Sequence, residues 1–369
     1  MPLLTPITFQ QLPSGSNLLQ SPFWGLFKSR FGWRPHAFLA GGIPLLLMEK
    51  DLPGGYTLLY TPHPFDTAGA EIRLRWDELC AELTDFFQGR RLCIRFDFPW
   101  EIGNDDAGEK LAEWDLHGLK RAVMDVQPPS TVVIPLEGTA DDQLGAMKSK
   151  TRYNIRLSAR KGVTTQLEDP CFVDTWYDLY CETAERDRIS IHSKDYYRQL
   201  FTTAQDMRSG LLPGPGSGSD SGPDSIPGSE SVPAQGPDTA PPALRIISAR
   251  HEGELLAAVI ISMYGGRATY MYGASSNQKR NLMASYAVQW AAIQMARDEG
   301  CTSYDLFGIP PADDPEHPMH GLYRFKTGFG GHILHRAGAW DLPLNRAVYA
   351  LYRQVEHARY YYFKKLKKR

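Results

Sequence analysis

The chain has 369 residues, 42% of them hydrophobic and 11% aromatic, with a formal net charge of −2, enough for a sizeable core and natural for two domains. No window approaches 18 uninterrupted apolar residues, so no membrane-spanning helix is expected, and no cationic segment leads into an apolar one at the N-terminus, which argues against secretion. The five cysteines (Cys80, Cys93, Cys171, Cys181 and Cys301) are scattered without metal-ligand spacing, pointing to structural thiols in a reduced cytoplasmic protein and to no bound metal.

In chain order, residues 37–49 and 56–60 read as strands and 74–88 as a helix ended by Gly89. Residues 91–96 form a strand that delivers Asp97, and 131–135 form another. Asp141 and Asp142 suit a helix start, and that helix is expected to run to about Arg160, before Gly162. Residues 148–161 hold six basic side chains and no acid. Among them Lys148, Arg152, Arg156 and Arg160 recur at i+4, a stripe suited to phosphates and equally to a solvated face.

A second αβ series follows. Helices are expected at 172–186 and 195–204, and strands 244–251 and 255–264 form a hairpin turning at Glu252-Gly253. A strand at 268–274, a helix at 283–299 and a strand at 303–307 complete the series. The turn-rich loop 308–321 then leads to Phe-Lys-Thr-Gly-Phe-Gly-Gly, which carries Lys326. Pro, Gly and Ser fill 22 of the 34 positions from 209 to 242. That segment cannot bury enough apolar surface to offset its ordering entropy, and it interrupts the second unit as a disordered insertion. A last helix is expected over 345–365, ending in the basic residues Lys364–Arg369. Its charge suits a solvated helix end or contact with anionic headgroups at the inner face of a membrane.

The layout of strand, loop, helix and strand between 268 and 331 is that of an acyl-transfer site. Coenzyme A-dependent enzymes of the GNAT class hold a pyrophosphate on a glycine-containing turn after the corresponding strand. Here the turn over 277–283 contains no glycine, and its side chains obstruct such an approach. Lys326, beside glycines and aromatics, is suited to stabilise an oxyanion or a phosphate, although a lone lysine is more often a surface residue. Asp97 at a strand end can orient an amine or take its proton, or simply cap a turn. No GxSxG, HExxH, P-loop or supported GxGxxG segment is present, which removes the common hydrolase, metalloprotease and nucleotide-triphosphate classes.

Six segments in order resemble the Fem family (FemABX) of non-ribosomal peptidyltransferases. They are Gln20-Ser-Pro22 leading to Gly32-Trp-Arg-Pro35, Arg95-Phe-Asp97, Lys148-Ser-Lys-Thr-Arg-Tyr-Asn-Ile-Arg156, Tyr270-Met-Tyr-Gly-Ala-Ser-Ser276, Tyr304-Asp-Leu-Phe-Gly308 and Tyr323-Arg-Phe-Lys326. The resemblance implies a mixed α/β (α+β) fold of two GNAT-like domains without the coiled-coil arm of some members. The first spans 1–142, completed by the C-terminal helix at 340–369, and the second spans 143–339.

By the same resemblance the protein is a cytoplasmic monomer without cofactor. It moves an amino acid such as glycine, alanine or serine from aminoacyl-tRNA to the side-chain amine of the diamino acid in a peptidoglycan precursor. The acceptor is UDP-MurNAc-pentapeptide or lipid II. Lys326 is then expected near the transferred acyl group and Asp97 near the acceptor amine. Arg30, and His192 where the family can carry an arginine, are expected at the precursor's diphosphate. Tyr196 and Tyr272 line the precursor groove, joined by Lys28, Tyr270 and Phe325, while Lys148, Arg152 and Arg156 face tRNA phosphates. An acyl-CoA-dependent N-acyltransferase and an inactive muramyl-peptide or RNA-binding module are the competing readings.

Overall fold

The computed structural model describes residues 2–13, 15, 17–66, 69–103, 107–210 and 240–362. The segment Lys364–Arg369 and all but the edges of the Pro/Gly/Ser-rich insertion lie outside the described residues. The strands are β1 (Leu4–Ile7), β2 (Arg34–Ala40), β3 (Ile43–Leu52), β4 (Tyr56–Pro62), β5 (Arg91–Glu101), β6 (Lys120–Arg121), β7 (Ser130–Pro135), β8 (Thr164–Glu168), β9 (Ala243–His251), β10 (Glu254–Tyr264), β11 (Arg267–Ser275), β12 (Ser303–Asp305) and β13 (His332–Pro343). They form one sheet in the order β1-β2-β3-β4-β5-β13-β7-β12-β11-β10-β9-β8, with β6 beside β13.

Both halves repeat one pattern. Three antiparallel strands, β2-β3-β4 or β9-β10-β11, lead to a parallel partner, β5 or β12. A parallel step needs a crossover, and helices Trp76–Phe86 and Ala284–Asp298 lie in those connections. Strand β13 joins the halves: residues 336–343 pair with β5 and residues 332–335 with β7.

The apolar run at 37–49, expected as one strand, is a hairpin. Gly41 and Gly42 both take positive φ (59° and 88°), the conformation a tight hairpin turn requires and side chains resist. The basic helix is also divided, into Ala140–Ala146 and Ser149–Arg160. Thr139 and Asp142 form a capping box at the first helix. Met147 between the two is extended and buried, so core burial breaks a run that periodicity reads as continuous. The predicted hairpin at Glu252-Gly253 is present as β9 and β10.

Three apolar clusters hold the sheet. One packs helix Ala284–Asp298 against β10 and β11, and another packs helix Trp76–Phe86 against β3 to β5. The third crosses the halves. Phe23, Trp24 and Phe27 of helix Pro22–Ser29 meet Trp176, Tyr196, Tyr197 and Leu200 of helices Val173–Asp187 and Lys194–Arg208. Burying each such ring contributes roughly 1.5–3 kcal/mol, so this cluster fixes the cleft between the halves. Among the described residues the longest helix, Arg346–Tyr361, has 16 residues, leaving no extended helical arm, and no helix is long and apolar enough to cross a membrane.

Helix Arg346–Tyr361 is tied to β5 by a buried charge network. The Arg95 guanidinium donates to Asp341 at 2.7 and 2.9 Å and to Glu356 at 3.0 and 2.9 Å. Tyr349 donates to Asp341 at 2.9 Å and Tyr352 to Glu356 at 3.0 Å. Asp341→Ala strands a buried guanidinium and should cost about 3–5 kcal/mol in urea unfolding. A loss under about 1 kcal/mol, the range of an exposed pair, would show that the network does not anchor the helix.

Candidate active site

A cavity of about 380 Å³ opens between the halves, lined by helix Pro22–Ser29, the ends of β4, β11 and β12, and the start of helix Lys194–Arg208. That volume lies within the range of small-molecule sites. The local sequence builds its first wall. Ser21 caps helix Pro22–Ser29 by accepting from the Trp24 N–H at 3.2 Å. The Gln20 amide accepts from Leu46 at 2.8 Å and donates to the Pro62 carbonyl at 2.6 Å, fastening the helix entry to β3 and β4.

That helix aims Lys28 into an aromatic cage. Its Nζ lies 5.6 Å from the Trp24 ring, 5.6 Å from Trp33 and 5.5 Å from Tyr196, each face attracting a cation. Burial, then repulsion from Lys50, lowers the Lys28 ammonium to about 8. His192 stacks on Tyr196 at 3.9 Å, and burial, then the Lys28 charge, lowers its pKa. Tyr272 also lines the cavity and packs on Tyr197 at 5.0 Å.

Asp97 stands just behind the opposite wall. Its Oδ2 accepts from the Tyr60 hydroxyl at 3.1 Å and from the Gln127 N–H at 2.7 Å. Tyr60 and Gln127 line the cavity, and Asp97 is 1% exposed. Burial is the largest effect and raises the carboxyl to about 6, against the Gln127 hydrogen bond. The Tyr60 hydroxyl thus forms a hydrogen-bonded link between the cavity and the Asp97 carboxyl.

Lys326, which follows β12 and the turn-rich loop 308–321, lies on helix His320–Thr327. Its Nζ donates to the carbonyls of Phe307 and Gly308 at 3.1 and 2.9 Å and sits 5.2 Å from the Tyr270 ring. Burial lowers the ammonium to about 7, with Asp305 acting the other way. Phe307 and Asp305 line the cavity, so Lys326 backs its second side as Asp97 backs its first.

A bulge distributes the two tyrosines of β11. Pairing with β10 shifts between Ile260 and Ile261, opposite Tyr272 and Tyr270, and leaves Met271 as the extra residue. Residues two apart normally share a face. Here Tyr270 packs in the cluster under helix Ala284–Asp298, and Tyr272 packs in the cluster between the halves. A Cβ on Gly273 would fall 1.7 Å from the Tyr270 hydroxyl oxygen, so only glycine allows that ring position.

Other expected site residues lie outside the cavity wall. Arg30 is held by Asp206 at 2.5 Å and Gln199 at 2.6 Å, and Phe325 packs against Tyr286 and Phe329. Arg152 donates to the carbonyls of Gly145 and Met147, closing the helix before it. Lys148 contacts Thr327 at 3.3 Å, and its backbone N–H bonds Gly328, so helix Ser149–Arg160 begins where the Lys326 helix ends. Arg156 is exposed on that helix. In the glycine-free loop, Lys279 pairs with Glu254 at 2.8 Å beside a hollow of about 120 Å³.

The sequence reading passes over Tyr60, His63, Gln127, Arg267, Asp305 and Arg336, all of which line the cavity. Asp305 had a local signal, a carboxylate at a strand end within Tyr304–Gly308. The others had none, because their partners are distant in sequence: Arg336 bonds Asp305 at 2.9 Å across 31 positions.

The chain has relatives among known proteins. The lipid II:glycine glycyltransferases of Staphylococcus aureus strains USA300 and bovine RF122 are each 23% identical over 387 aligned residues, covering 93% of this chain and 92% of theirs. The crystal structure of FemX superposes with a TM-score of 0.74 at 18% identity, covering 95% of this chain and 99% of that one. That likeness shows the fold, the two-unit mixed α/β architecture expected from the sequence. The model of the FemAB family matches residues 103–208 and 243–357, more than half of the chain and interrupted only around the Pro/Gly/Ser-rich insertion. The protein therefore belongs to the FemAB family.

Proposed function

We propose that this protein is an aminoacyltransferase that moves an amino acid from aminoacyl-tRNA to the side-chain amine of the diamino acid in a peptidoglycan-precursor stem peptide. One observation carries the reading: a single cavity backed by a buried carboxyl on one side and a buried lysine on the other. The name of the Staphylococcus aureus relatives, lipid II:glycine glycyltransferase, supports the same class of acceptor.

The aminoacyl ester is already activated, so the reaction needs positioning and charge stabilisation. The acceptor nitrogen attacks the ester carbonyl, a carbon–nitrogen bond forms, and the bond to the ribose oxygen breaks. The amine proton passes by way of Tyr60 to Asp97, whose raised pKa suits it as an acceptor near neutral pH, and a proton is returned to the departing ribose oxygen, which leaves as the hydroxyl. Two carbonyls occupy the Lys326 ammonium, leaving one N–H for the oxyanion or the terminal phosphate of the donor.

Incubating the protein with mixed charged tRNAs and UDP-MurNAc-pentapeptide, then reading product mass, tests the reaction. A gain of one aminoacyl residue on the side-chain amine is expected, and an unchanged precursor would refute the reading. Lys326→Met should lower kcat by roughly 10²–10³ with precursor affinity retained. Near-normal turnover would remove Lys326 from the reaction.

Asp97 must be ionised to accept a proton and Lys326 protonated to stabilise an anion. The kcat/KM profile should therefore fall below about pH 6 as Asp97 protonates and above about pH 7 as Lys326 discharges. The residual activity of Asp97→Asn should lack the acid limb. An acid limb that persists in that variant would assign it to another group. Arg156, exposed on the helix next to Lys326, is suited to donor phosphates. Arg156→Glu should raise KM for charged tRNA several-fold and leave kcat unchanged; an unaltered KM would remove that contact.

A further inference from the structure

His63 is a buried imidazole with no role in the chemistry above. Its backbone is held in a positive-φ conformation (46°). Its N–H donates to the Asp97 carbonyl at 2.8 Å, and its carbonyl accepts from Asn17 at 3.2 Å. Non-glycine residues hold such a conformation only where surrounding contacts fix it. The residue is 6% exposed and lines the cavity, yet its Nε2 has no hydrogen-bond partner among the described residues. Buried polar atoms are nearly always satisfied, so an orphaned one calls for a missing partner.

Two guanidiniums act on this ring. The charges of Arg336 and Arg267 both favour its neutral form, after burial itself, and both side chains line the same cavity. Each is already balanced by one acid. Arg336 bonds Asp305 at 2.9 Å and Arg267 bonds Asp66 at 3.0 Å. The guanidiniums keep spare N–H groups, and a neutral imidazole can donate one more.

We propose that His63, Arg267 and Arg336 form a subsite for one carboxylate of the bound acceptor peptide. The assignment rests on the acceptor reading above and extends it to the group that orients the peptide. N–H donors that line one cavity with little net charge suit a singly charged, two-oxygen group; a dianionic phosphate needs uncompensated cations. A muramyl stem peptide offers two such groups, the C-terminal carboxylate and the free carboxylate of its glutamate. Fixing either beside His63 places the peptide next to Tyr60 and Asp97, where its amine must react.

Calorimetric binding of three ligands to the full-length protein tests this. The ligands are UDP-MurNAc-pentapeptide, its C-terminal carboxamide, and the analogue amidated on the glutamate. One of the two amides should bind wild type roughly 10-fold or more weakly, the scale of a charged hydrogen bond, and that amide names the carboxylate. The penalty should largely vanish in Arg267→Gln, which alters a half-exposed side chain, and in His63→Asn, since asparagine tolerates positive φ. Equal binding of all three ligands to wild type would overturn the subsite while leaving the acceptor reading intact. A penalty unchanged in both variants would place the carboxylate elsewhere and overturn it too. Failure of the all-acid precursor to bind wild type would overturn the acceptor reading and this subsite together.

Discussion

Strand β13 makes the molecule one body. It hydrogen-bonds to β5 along one half of its length and to β7 along the other, so two repeated units share one continuous sheet. Asp97 lies on β5, and Asp305 and the loop held by Lys326 follow from β12. Because the same strand ladders set both, the separation of carboxyl and lysine is a property of the sheet. Side-chain flexibility cannot easily change it. The aromatic cluster between the halves closes the other side of the cleft and fixes the direction from which Lys28 enters it.

Electrostatics within the cavity follow a simple division. Arg95, Arg336 and Arg267 are each compensated by acids, as buried charges must be. Among the described residues, Asp97 and Lys326 have no charged partner of comparable closeness. Burial therefore moves the carboxyl up and the ammonium down, toward neutrality. Their environments bring both pKa values close to physiological pH, where each can change protonation without a large free-energy cost. Lys28 is a different case: burial and repulsion from Lys50 lower its ammonium to about 8, which leaves it mostly charged at neutral pH among the ring faces of its cage.

Much of the fold was legible because it depends on short-range signals. The hairpin at Glu252-Gly253 appears where alternation and turn residues place it, whereas the strand expected to end before Asp97 runs on to Glu101 and holds Asp97 within its length. The errors have local causes too. Gly41-Gly42 turns an apolar run into a hairpin, and the burial of Met147 splits a basic run into two helices. Arg152 shows the limit of pattern reading, since its place on the i+4 stripe says nothing of the helix carbonyls it caps. Lys326 sits on a helix that local patterning does not signal. Its glycine-rich surroundings suggest a loop, whereas one helical turn presses it against the carbonyls of another segment.

The sequence by itself determined the alternation of strands and helices in both units and the absence of glycine from the loop after β11, and it singled out Asp97 and Lys326 as candidates. These follow from residue type and spacing along a few turns of chain. Only the tertiary structure decided which groups share a cavity. It brought Tyr60, His63 and Gln127 from one half against Arg267 and Asp305 from the other, with Arg336 on the strand that joins them, and it withdrew Arg30 into an ion pair with Asp206. The reason is that burial and pairing, which set the charge and reach of every polar side chain, arise from contacts between segments far apart in sequence.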